Sequence, residues 1–333
     1  MRFIPGMKNL ITDVAGVQVG HAEDAKLGSG TTAIIFEEPA VASADIRGGG
    51  PGTRELDLLD PVATVERIDG LALSGGSAFG LDAGAGVQAW LAEQGRGFAV
   101  GPARIPIVPG AILFDMLSGG DKNWGRFPPY RDLGYAAAGN AANDFALGTA
   151  GAGYGASTQN LKGGIGSASA KTGSGHTVGA IVAVNAAGRV TLGEDGHFFA
   201  AAFEQNGEFG GRGFPDRQQQ IATALKGDER QNTTIALVAT DAVLTKAQAK
   251  RLAVMAGAGF AMAIHPVFTP LDGDAVFAAA TGKKALNDPL HDLARLGAIA
   301  AQCLARAIAR GVYEAKSLSF PGALPSWKDR FGR

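Results

Sequence analysis

The chain has a single cysteine among 333 residues, Cys303, so no disulfide can form within it, which suits a reducing compartment. Opposite charges are balanced, with 30 Lys and Arg against 31 Asp and Glu, so no basic face for nucleic acid is expected. No run approaches the roughly 20 apolar residues of a membrane-spanning helix. The first six residues lack the uninterrupted apolar segment of a signal peptide. We therefore expect a cytoplasmic protein that binds neither nucleic acid nor membranes.

Motifs for metals and cofactors are also missing. There is no H-E-x-x-H and no cluster of Cys and His, and the sequence Asp272-Gly273-Asp274 starts like a calcium loop but lacks the later ligands. The glycines at 84 and 86 have dinucleotide-motif spacing, but they fall inside a predicted helix instead of at a strand–helix turn. The glycine-rich residues 48–52 lack the Lys-Ser/Thr of a phosphate loop. We expect no metal and no cofactor.

Small residues are abundant instead. The chain has 50 glycines and many alanines, only 18% charged residues and 46% hydrophobic residues, a composition that indicates closely packed layers and not disorder. Apolar runs alternate with helix-like segments, which favours α/β or α+β layers. The predicted strands are residues 31–36, 70–74, 105–108, 177–184, 233–240 and 275–279. The predicted helices are residues 77–94, 132–147, 245–263 with Thr245 as N-cap, and a C-terminal helix that buries Leu293, Leu296, Ala300, Cys303, Leu304 and Ile308.

A polar residue pair, Asn232 and Thr233, opens one of these apolar runs. The polar residues 208–230 before it predict a surface loop, where a chain can be opened without dismantling a core. Cleavage between Asn232 and Thr233 would give Thr233 a free α-amine beside its own hydroxyl, and such amines have an ordinary pKa of about 7.7–8.0. An amine of this kind can act as the general base for that hydroxyl. The local pattern fits equally an ordinary threonine that satisfies a turn at the start of a strand.

Two other places carry candidate chemistry. In extended chain, Asp272 and Asp274 point to the same face, where two carboxylates can hold an ammonium or relay a proton, although a solvated turn has the same pattern. Residues 73–80 come close to the G-x-S-x-G nucleophile elbow around Ser77, but Phe79 stands where that motif needs glycine. We therefore interpret Ser77 as the start of a helix, whose backbone N–H groups can line a substrate pocket.

Taken together, the sequence resembles the L-aminopeptidase/D-esterase family, which includes β-peptidyl aminopeptidases and a nylon-oligomer hydrolase. The resemblance begins at NLITDVAGVQVGH (residues 9–21) and runs to about residue 282. Five further blocks follow in order: DIRGGGPGTRE (45–55), LSGGSAFGLDAGAG (73–86), KGGIGSAS (162–169), NTTIALVAT (232–240) and PVFTPLDGDAVF (266–277). It implies an α/β (α+β) fold, the four-layer αββα sandwich of self-processing aminopeptidases and ornithine acetyltransferases. It also implies one domain, residues 1–333, that cleaves itself into a large subunit (1–232) and a small subunit (233–333).

The resemblance implies roles for individual residues. Autocleavage between Asn232 and Thr233 would make Thr233 the nucleophile, Asp272 and Asp274 would orient its amine, and Asn185 would help to hold the oxyanion. The expected substrates are small peptides, amino acid amides or esters, or polyamide oligomers. The expected partners are the two fragments themselves, assembled as a homo-oligomer of αβ units.

The sequence departs from the family at two places. Several family aminopeptidases bind the substrate's free amine with a Glu, followed two residues later by Tyr or Trp, and Ile112 and Phe114 stand at the corresponding positions here. A nylon-oligomer hydrolase has a Lys near its active site, and an ungapped comparison puts Asn160 there, with Lys162 two residues on. We therefore treat Phe114, Lys162 and Ser77 as candidate pocket residues, and strict recognition of a free amine is not implied.

The leading hypothesis is a self-processing amide hydrolase with Thr233 as its nucleophile, of the aminopeptidase or amidase-esterase type. One alternative is an endo-type hydrolase of oligoamides, like the nylon-oligomer enzyme. A second is a serine hydrolase that uses Ser77, and a third is a processing-deficient protein that binds a small molecule. An ornithine acetyltransferase is disfavoured because its Ala-Thr-Met-Leu sequence is absent around Thr233.

Overall fold

The computed structural model describes residues 4–221, 223, 225–226 and 232–332. Its strands are β1 (Ile4–Pro5), β2 (Val17–Asp24), β3 (Ser29–Ile46), β4 (Thr53–Arg54), β5 (Arg67–Ser74), β6 (Phe98–Val100), β7 (Ala103–Ile105), β8 (Gly110–Ile112), β9 (Gly164–Lys171), β10 (Thr177–Val184), β11 (Thr191–Leu192), β12 (His197–Phe198), β13 (Ile235–Ala242) and β14 (Ala275–Lys284). Its α-helices are α1 (Ala83–Glu93), α2 (Tyr130–Gly139), α3 (Lys246–Ala256), α4 (Ala258–Ala261), α5 (Pro289–Tyr313) and α6 (Trp327–Phe331). Short 3₁₀ helices cover Ile11–Asp13, Asp57–Leu59, Ser77–Asp82, Gly151–Gly153 and Phe199–Phe203.

A mixed sheet of ten strands runs through the protein in the order β1-β9-β10-β13-β14-β3-β5-β8-β4, with β2 also paired to β3. The long strand β3 joins its two halves. Residues 29–36 of β3 pair with β2, and residues 41–46 pair with β14. A register shift between Ile35 and Ala40 separates the two parts of β3, so the continuous sheet divides there into two halves.

The two halves pack face to face. One buried cluster combines Leu71 of β5 with Ile181 of β10 and Leu237 of β13, strands that lie far apart in the strand order. On the outer faces, α1 and α2 cover β3 and β5, and α3, α4 and α5 cover β9, β10, β13 and β14. The result is a four-layer αββα sandwich, which confirms the predicted fold class.

Helix α3 on the outer face begins where the sequence predicts. Thr245 caps α3, since its hydroxyl accepts the Gln248 N–H at 3.2 Å. Helix α5 starts at Pro289 after the capping residue Asp288, and its predicted stripe is buried except for the half-buried Leu293. Among the described residues no helix is long and apolar enough to cross a bilayer.

Three predictions of secondary structure need correction. Residues 106–108 do not form a strand: Pro106 has no N–H to donate, and the N–H of Ile107 donates to the Asp69 carboxylate at 2.9 Å instead of to a sheet. The helix predicted over 132–147 is α2, which ends at Gly139, because Ala142 pairs with Val19 of β2. The first six residues of the helix predicted over 77–94 form a 3₁₀ helix, and α1 follows.

The polar segment before Thr233 is only partly a surface loop. Residues 210–221 are mostly exposed and form no regular structure, as predicted. Residues 222, 224 and 227–230 of the predicted loop lie outside the described residues. Phe209 and Lys226 are buried, and the side chain of Glu208 is paired with Arg306 of α5, so the prediction is wrong at these three positions.

Candidate active site

Thr233 lies two residues before β13, beside the end of β10. Its N–H donates to the carbonyl oxygen of Asn185 at 2.8 Å, and Asn185 directly follows β10. Its hydroxyl donates to the carbonyl oxygen of Asn232, the residue that precedes it. Only 3% of Thr233 is exposed. The hydroxyl is therefore held beside the peptide bond at which the sequence predicts cleavage.

The backbone around this peptide bond is fixed by the loop that precedes β14. The N–H of Gly273 donates to the Asn232 carbonyl oxygen at 3.0 Å, and the N–H of Asn232 donates to the Leu271 carbonyl at 3.1 Å. These two bonds make a short parallel bridge between Asn232 and Asp272. An N–H aimed at the carbonyl oxygen can stabilise negative charge that develops on it during attack at the carbonyl carbon.

Asp274 is buried next to the start of β13. Its Oδ1 accepts the N–H of Thr234 at 2.8 Å, and its Oδ2 accepts the N–H of Phe268 at 3.1 Å. Burial, together with the negative charge of Asp272, raises the pKa of Asp274 to about 7. A carboxyl group with a pKa near neutrality can both accept and return a proton at physiological pH.

Asp272 is the second buried carboxylate of the pair. Its Oδ1 accepts the N–H of Ala187 at 3.1 Å, and its Oδ2 accepts the Thr269 hydroxyl at 2.6 Å. Burial raises its pKa, while the hydrogen bonds and, more weakly, the charge of Lys226 act in the opposite direction. Both carboxylates are thus buried and hydrogen-bonded, unlike the solvated turn that the sequence left open.

Asn185 contacts Thr233 through its backbone and the surrounding loops through its side chain. Its Oδ1 accepts the N–H of Ser157 at 3.0 Å and the Lys226 ammonium at 3.1 Å, while its Nδ2 donates to the carbonyl of Phe114 at 3.0 Å. Because both partners of Oδ1 are donors, they fix which end of the amide is oxygen. One of the two Nδ2 hydrogens is thereby committed to Phe114, and the other is the donor that an oxyanion role requires.

The structure brings the candidate pocket residue Phe114 into contact with Asn185. Phe114 is half-buried and reaches the amide through its carbonyl. The candidate pocket residue Ser77 is bonded to Leu113, the residue before Phe114: the Ser77 N–H donates to the Leu113 carbonyl at 3.0 Å. Its φ of +53° suits a sharp strand–helix turn, but the five histidines, all of which the structure describes, make no hydrogen bond to Ser77.

Lys162 lies behind the loop that carries Ser157. Its ammonium donates to the carbonyls of Gly153, Ala156 and Gly163 at 2.8–2.9 Å, which uses all three of its hydrogens. Burial lowers the pKa of Lys162 to about 7. Lys162 therefore supports the loop next to Asn185 instead of facing Thr233 directly.

Sequence reasoning missed two groups of this site, the Gly273 N–H and Lys226. In Asp272-Gly273-Asp274 the two acids are the evident candidates, and nothing in the sequence marks the backbone N–H of the glycine between them. The polar sequence around Lys226 indicates a surface loop and not a buried side chain. In the part of the chain that the structure describes, no three His, Cys, Asp or Glu side chains are grouped to hold a metal ion.

Comparison of sequences connects this site with known proteins. Peptidase family S58 matches residues 9–323. An uncharacterised aminopeptidase of Mycobacterium bovis is 43% identical over 346 residues, covering 97% of this chain and 98% of the relative. A 6-aminohexanoate-oligomer endohydrolase of a Kocuria species is 28% identical over 286 residues, covering 83% of this chain and 76% of the relative.

Solved structures share the fold. A β-aminopeptidase of a Burkholderia species superposes with a TM-score of 0.73 at 22% identity, covering 98% of this chain and 93% of that one. An L-aminopeptidase D-Ala-esterase/amidase of Ochrobactrum anthropi, described as a variant of the Ntn hydrolase fold, gives a TM-score of 0.73 at 20% identity, covering 100% and 97%. The resemblance found in the sequence is confirmed: the chain belongs to peptidase family S58 and is a hydrolase of peptide or amide bonds.

Proposed function

We propose that this protein is a self-processing N-terminal-threonine hydrolase. It cleaves its own Asn232–Thr233 bond into subunits of residues 1–232 and 233–333, which stay together and assemble as an oligomer of αβ units. It then hydrolyses small peptides or amides through an acyl-enzyme on Thr233. One observation carries the proposal: the Thr233 hydroxyl contacts the Asn232 carbonyl, whose oxygen also accepts the Gly273 N–H.

Self-cleavage begins when the Thr233 oxygen attacks the Asn232 carbonyl carbon. The Asp272–Asp274 pair accepts the hydroxyl proton, and the Gly273 N–H stabilises the oxyanion. Collapse of this intermediate breaks the C–N bond, the nitrogen takes up a proton, and Asn232 is left as an ester on the Thr233 oxygen. Water hydrolyses this ester, which frees the Asn232 carboxylate and the Thr233 amine.

Substrate hydrolysis then reuses the same groups. The new α-amine is held by the Asn185 carbonyl, which accepts the Thr233 N–H at 2.8 Å before cleavage, and it takes the hydroxyl proton as general base. Asp272 and Asp274 keep the amine oriented. The Asn185 amide and the Gly273 N–H stabilise the oxyanion. Water releases the acyl group and regenerates the free hydroxyl.

A second candidate is endo-type cleavage of oligoamides, the activity named for the Kocuria relative. What favours it is the apolar character of residues 112–114, of which Phe114 contacts Asn185. Ile112 is buried and Phe114 half-buried. The nearest acid along the chain, Asp115, is fully buried and accepts the Ser29 hydroxyl and the Gly76 N–H. No carboxylate among these residues is placed to require a free amine on the substrate.

The test compares three variants of the full chain, Thr233→Val, Thr233→Ser and Ser77→Ala. Valine keeps the β-branched shape of threonine but lacks its hydroxyl, so Thr233→Val should remain uncleaved and inactive. Thr233→Ser keeps the hydroxyl and should cleave. Ser77→Ala should cleave and hydrolyse amides at rates close to those of the unchanged chain.

The measurements are subunit masses and turnover on a panel that pairs free-amine with N-acylated amides. Cleavage and turnover by Thr233→Val would refute the threonine mechanism. Loss of turnover in Ser77→Ala alone would support the serine-hydrolase alternative. Turnover of N-acylated substrates would identify the endo-type activity.

A further inference from the structure

Lys226 is a buried lysine just ahead of the Asn232–Thr233 bond. Only 4% of the residue is exposed. Its ammonium donates to the Ser157 carbonyl at 3.0 Å and to the Asn185 Oδ1 at 3.1 Å. Its backbone N–H donates to the carbonyl of Ala187 at 3.0 Å. Burying an ammonium is costly unless its charge and donors are compensated, so these acceptors account for its position.

The contacts of Lys226 form a closed ring with Ser157 and Asn185. Ser157 donates its N–H to the Asn185 Oδ1 at 3.0 Å, and its carbonyl accepts the Lys226 ammonium. Exchanging the oxygen and nitrogen of the amide would turn Nδ2 towards two donors, which makes that orientation unfavourable. Lys226 therefore supplies one of two hydrogen bonds that direct Nδ2 away from the ring. Without Lys226, the Ser157 N–H would be the one remaining donor shown on Oδ1, while Nδ2 would keep its bond to the Phe114 carbonyl.

Lys226 is also linked to the buried acids. Ala187 accepts the Lys226 N–H with its carbonyl and donates its own N–H to Asp272 at 3.1 Å. The charge of Lys226 acts on Asp272 and favours its carboxylate form. Among the described residues, Lys162 interacts through its charge with Lys226 and Asp115, and Arg47, whose N–H donates to the Asp274 carbonyl, pairs its guanidinium with Asp45 at 2.7 Å.

We infer that Lys226 is a positioning residue for self-cleavage: its ammonium fixes the Asn185 amide, and its backbone N–H is linked through Ala187 to Asp272. The inference rests on the proposed function. Lys226 belongs to the segment that is cut, and it becomes part of the C-terminal end of the large subunit. The precursor thus supplies, from the segment it cleaves, the cation that prepares its own cleavage site.

Four variants separate the charge of Lys226 from its hydrogen bonds and from its bulk. Lys226→Met removes the charge and the donors, Lys226→Gln keeps a donor without the charge, and Lys226→Arg keeps both. Lys246→Met is the matched control, because Lys246 is also buried and donates to three backbone carbonyls, those of Leu58, Ala63 and Val65. Self-cleavage of freshly synthesised full-length chain is followed by intact mass between about pH 5 and pH 9.

At neutral pH, Lys226→Met should cleave at least about tenfold more slowly than the unchanged chain. Its pH–rate midpoint should rise, because Asp272 loses the nearby cation that favours its carboxylate form. Lys226→Gln should show the same rise with a smaller loss of rate, and Lys226→Arg should restore the midpoint. Lys246→Met should lower the melting temperature and leave the midpoint unchanged.

If the unchanged chain cleaves between Asn232 and Thr233, either of two results would overturn the inference about Lys226. One is an unchanged rate and midpoint in Lys226→Met and Lys226→Gln. The other is a slow Lys226→Met with an unchanged midpoint that Lys226→Arg does not rescue, since this pattern belongs to a residue that only fills space. If Lys226→Met does not fold, the midpoints of Lys226→Gln and Lys226→Arg decide. An unchanged chain that never cleaves would refute the proposed function itself.

Discussion

Gly273 offers a steric test of the proposed self-cleavage, because it lies against the reacting groups. A Cβ atom added to Gly273 would lie 2.8 Å from the Thr233 Oγ1 and 2.6 Å from the carbonyl oxygen of Gly50. Ordinary van der Waals contact begins at 3.4 Å, so these atoms are too close by 0.6 and 0.8 Å. The φ of Gly273 is not in the left-handed region, so the effect of Gly273→Ala is steric and does not come from a forbidden backbone conformation.

The close contacts of the added Cβ atom should displace the reacting atoms and not the facing loop. The loop on the other side is held by the Gly50 N–H, which donates to the Asp272 carbonyl at 2.8 Å. The hydroxyl of Thr233 or the N–H of Gly273 must therefore move, and both are needed at the Asn232 carbonyl. Misplacing reacting groups by about 1 Å can cost a factor of about 100 in rate, or about 2.7 kcal/mol of activation free energy. We expect Gly273→Ala to cleave itself about 100-fold more slowly.

The matched control is Gly50→Ala in the facing loop. Its added Cβ would meet only the carbonyl oxygens of Asp272 at 3.8 Å and Pro270 at 3.9 Å, which are ordinary contacts. The assay follows the decay of full-length chain after cell-free synthesis, by mass, with melting temperatures to confirm folding. Equal cleavage rates in Gly273→Ala, Gly50→Ala and the unchanged chain would refute the reasoning about the geometry around Thr233.

Three further predictions concern the pH dependence of self-cleavage, the pH dependence of stability, and subunit association. Burial raises the pKa of Asp274 to about 7, and in the proposed mechanism its carboxylate takes part as the base, so the self-cleavage rate should fall as pH is lowered through 7; a flat pH–rate profile would contradict this. The same raised pKa stabilises the folded state most at acidic pH, and urea titrations should show that contribution lost as pH rises through 7. Glu208→Gln removes the carboxylate that is paired with the fully buried Arg306, at a cost of about 3–5 kcal/mol. The proposed cut puts Glu208 and Arg306 on different subunits. In size-exclusion chromatography, the subunits of Glu208→Gln should therefore separate at a lower urea concentration than those of the exposed-pair control Glu194→Gln. Equal urea midpoints of subunit separation in the two variants would refute the role of this pair.

Local patterns predicted much of the fold. Strand β10 has the predicted bounds, and the N-cap at Thr245 is confirmed, because both depend on neighbouring residues. The strand predicted over 105–108 is wrong because an apolar run was given more weight than the missing N–H groups of Pro106 and Pro109. The helix predicted over 132–147 is too long because the pairing of Ala142 with a distant strand cannot be deduced from helical periodicity.

The site was predictable only in part, and mainly through the family resemblance. Asp274 accepts the N–H of Thr234, the residue after Thr233, and the roles of Thr233 and Asp274 stay proposals. The Gly273 N–H and Lys226 were missed for a different reason. The polar sequence around Lys226 is that of a surface loop, and its burial depends on Ser157 and Asn185, 69 and 41 residues earlier in the chain. Contacts at such separations follow from the packing of the layers and not from local composition.

Self-cleavage can be checked in a single step by the intact mass of freshly purified protein under denaturing conditions. We predict two fragments, residues 1–232 and 233–333, whose masses add up to that of the chain plus one water. A single 33.8 kDa chain that remains whole on incubation would contradict the proposed self-cleavage.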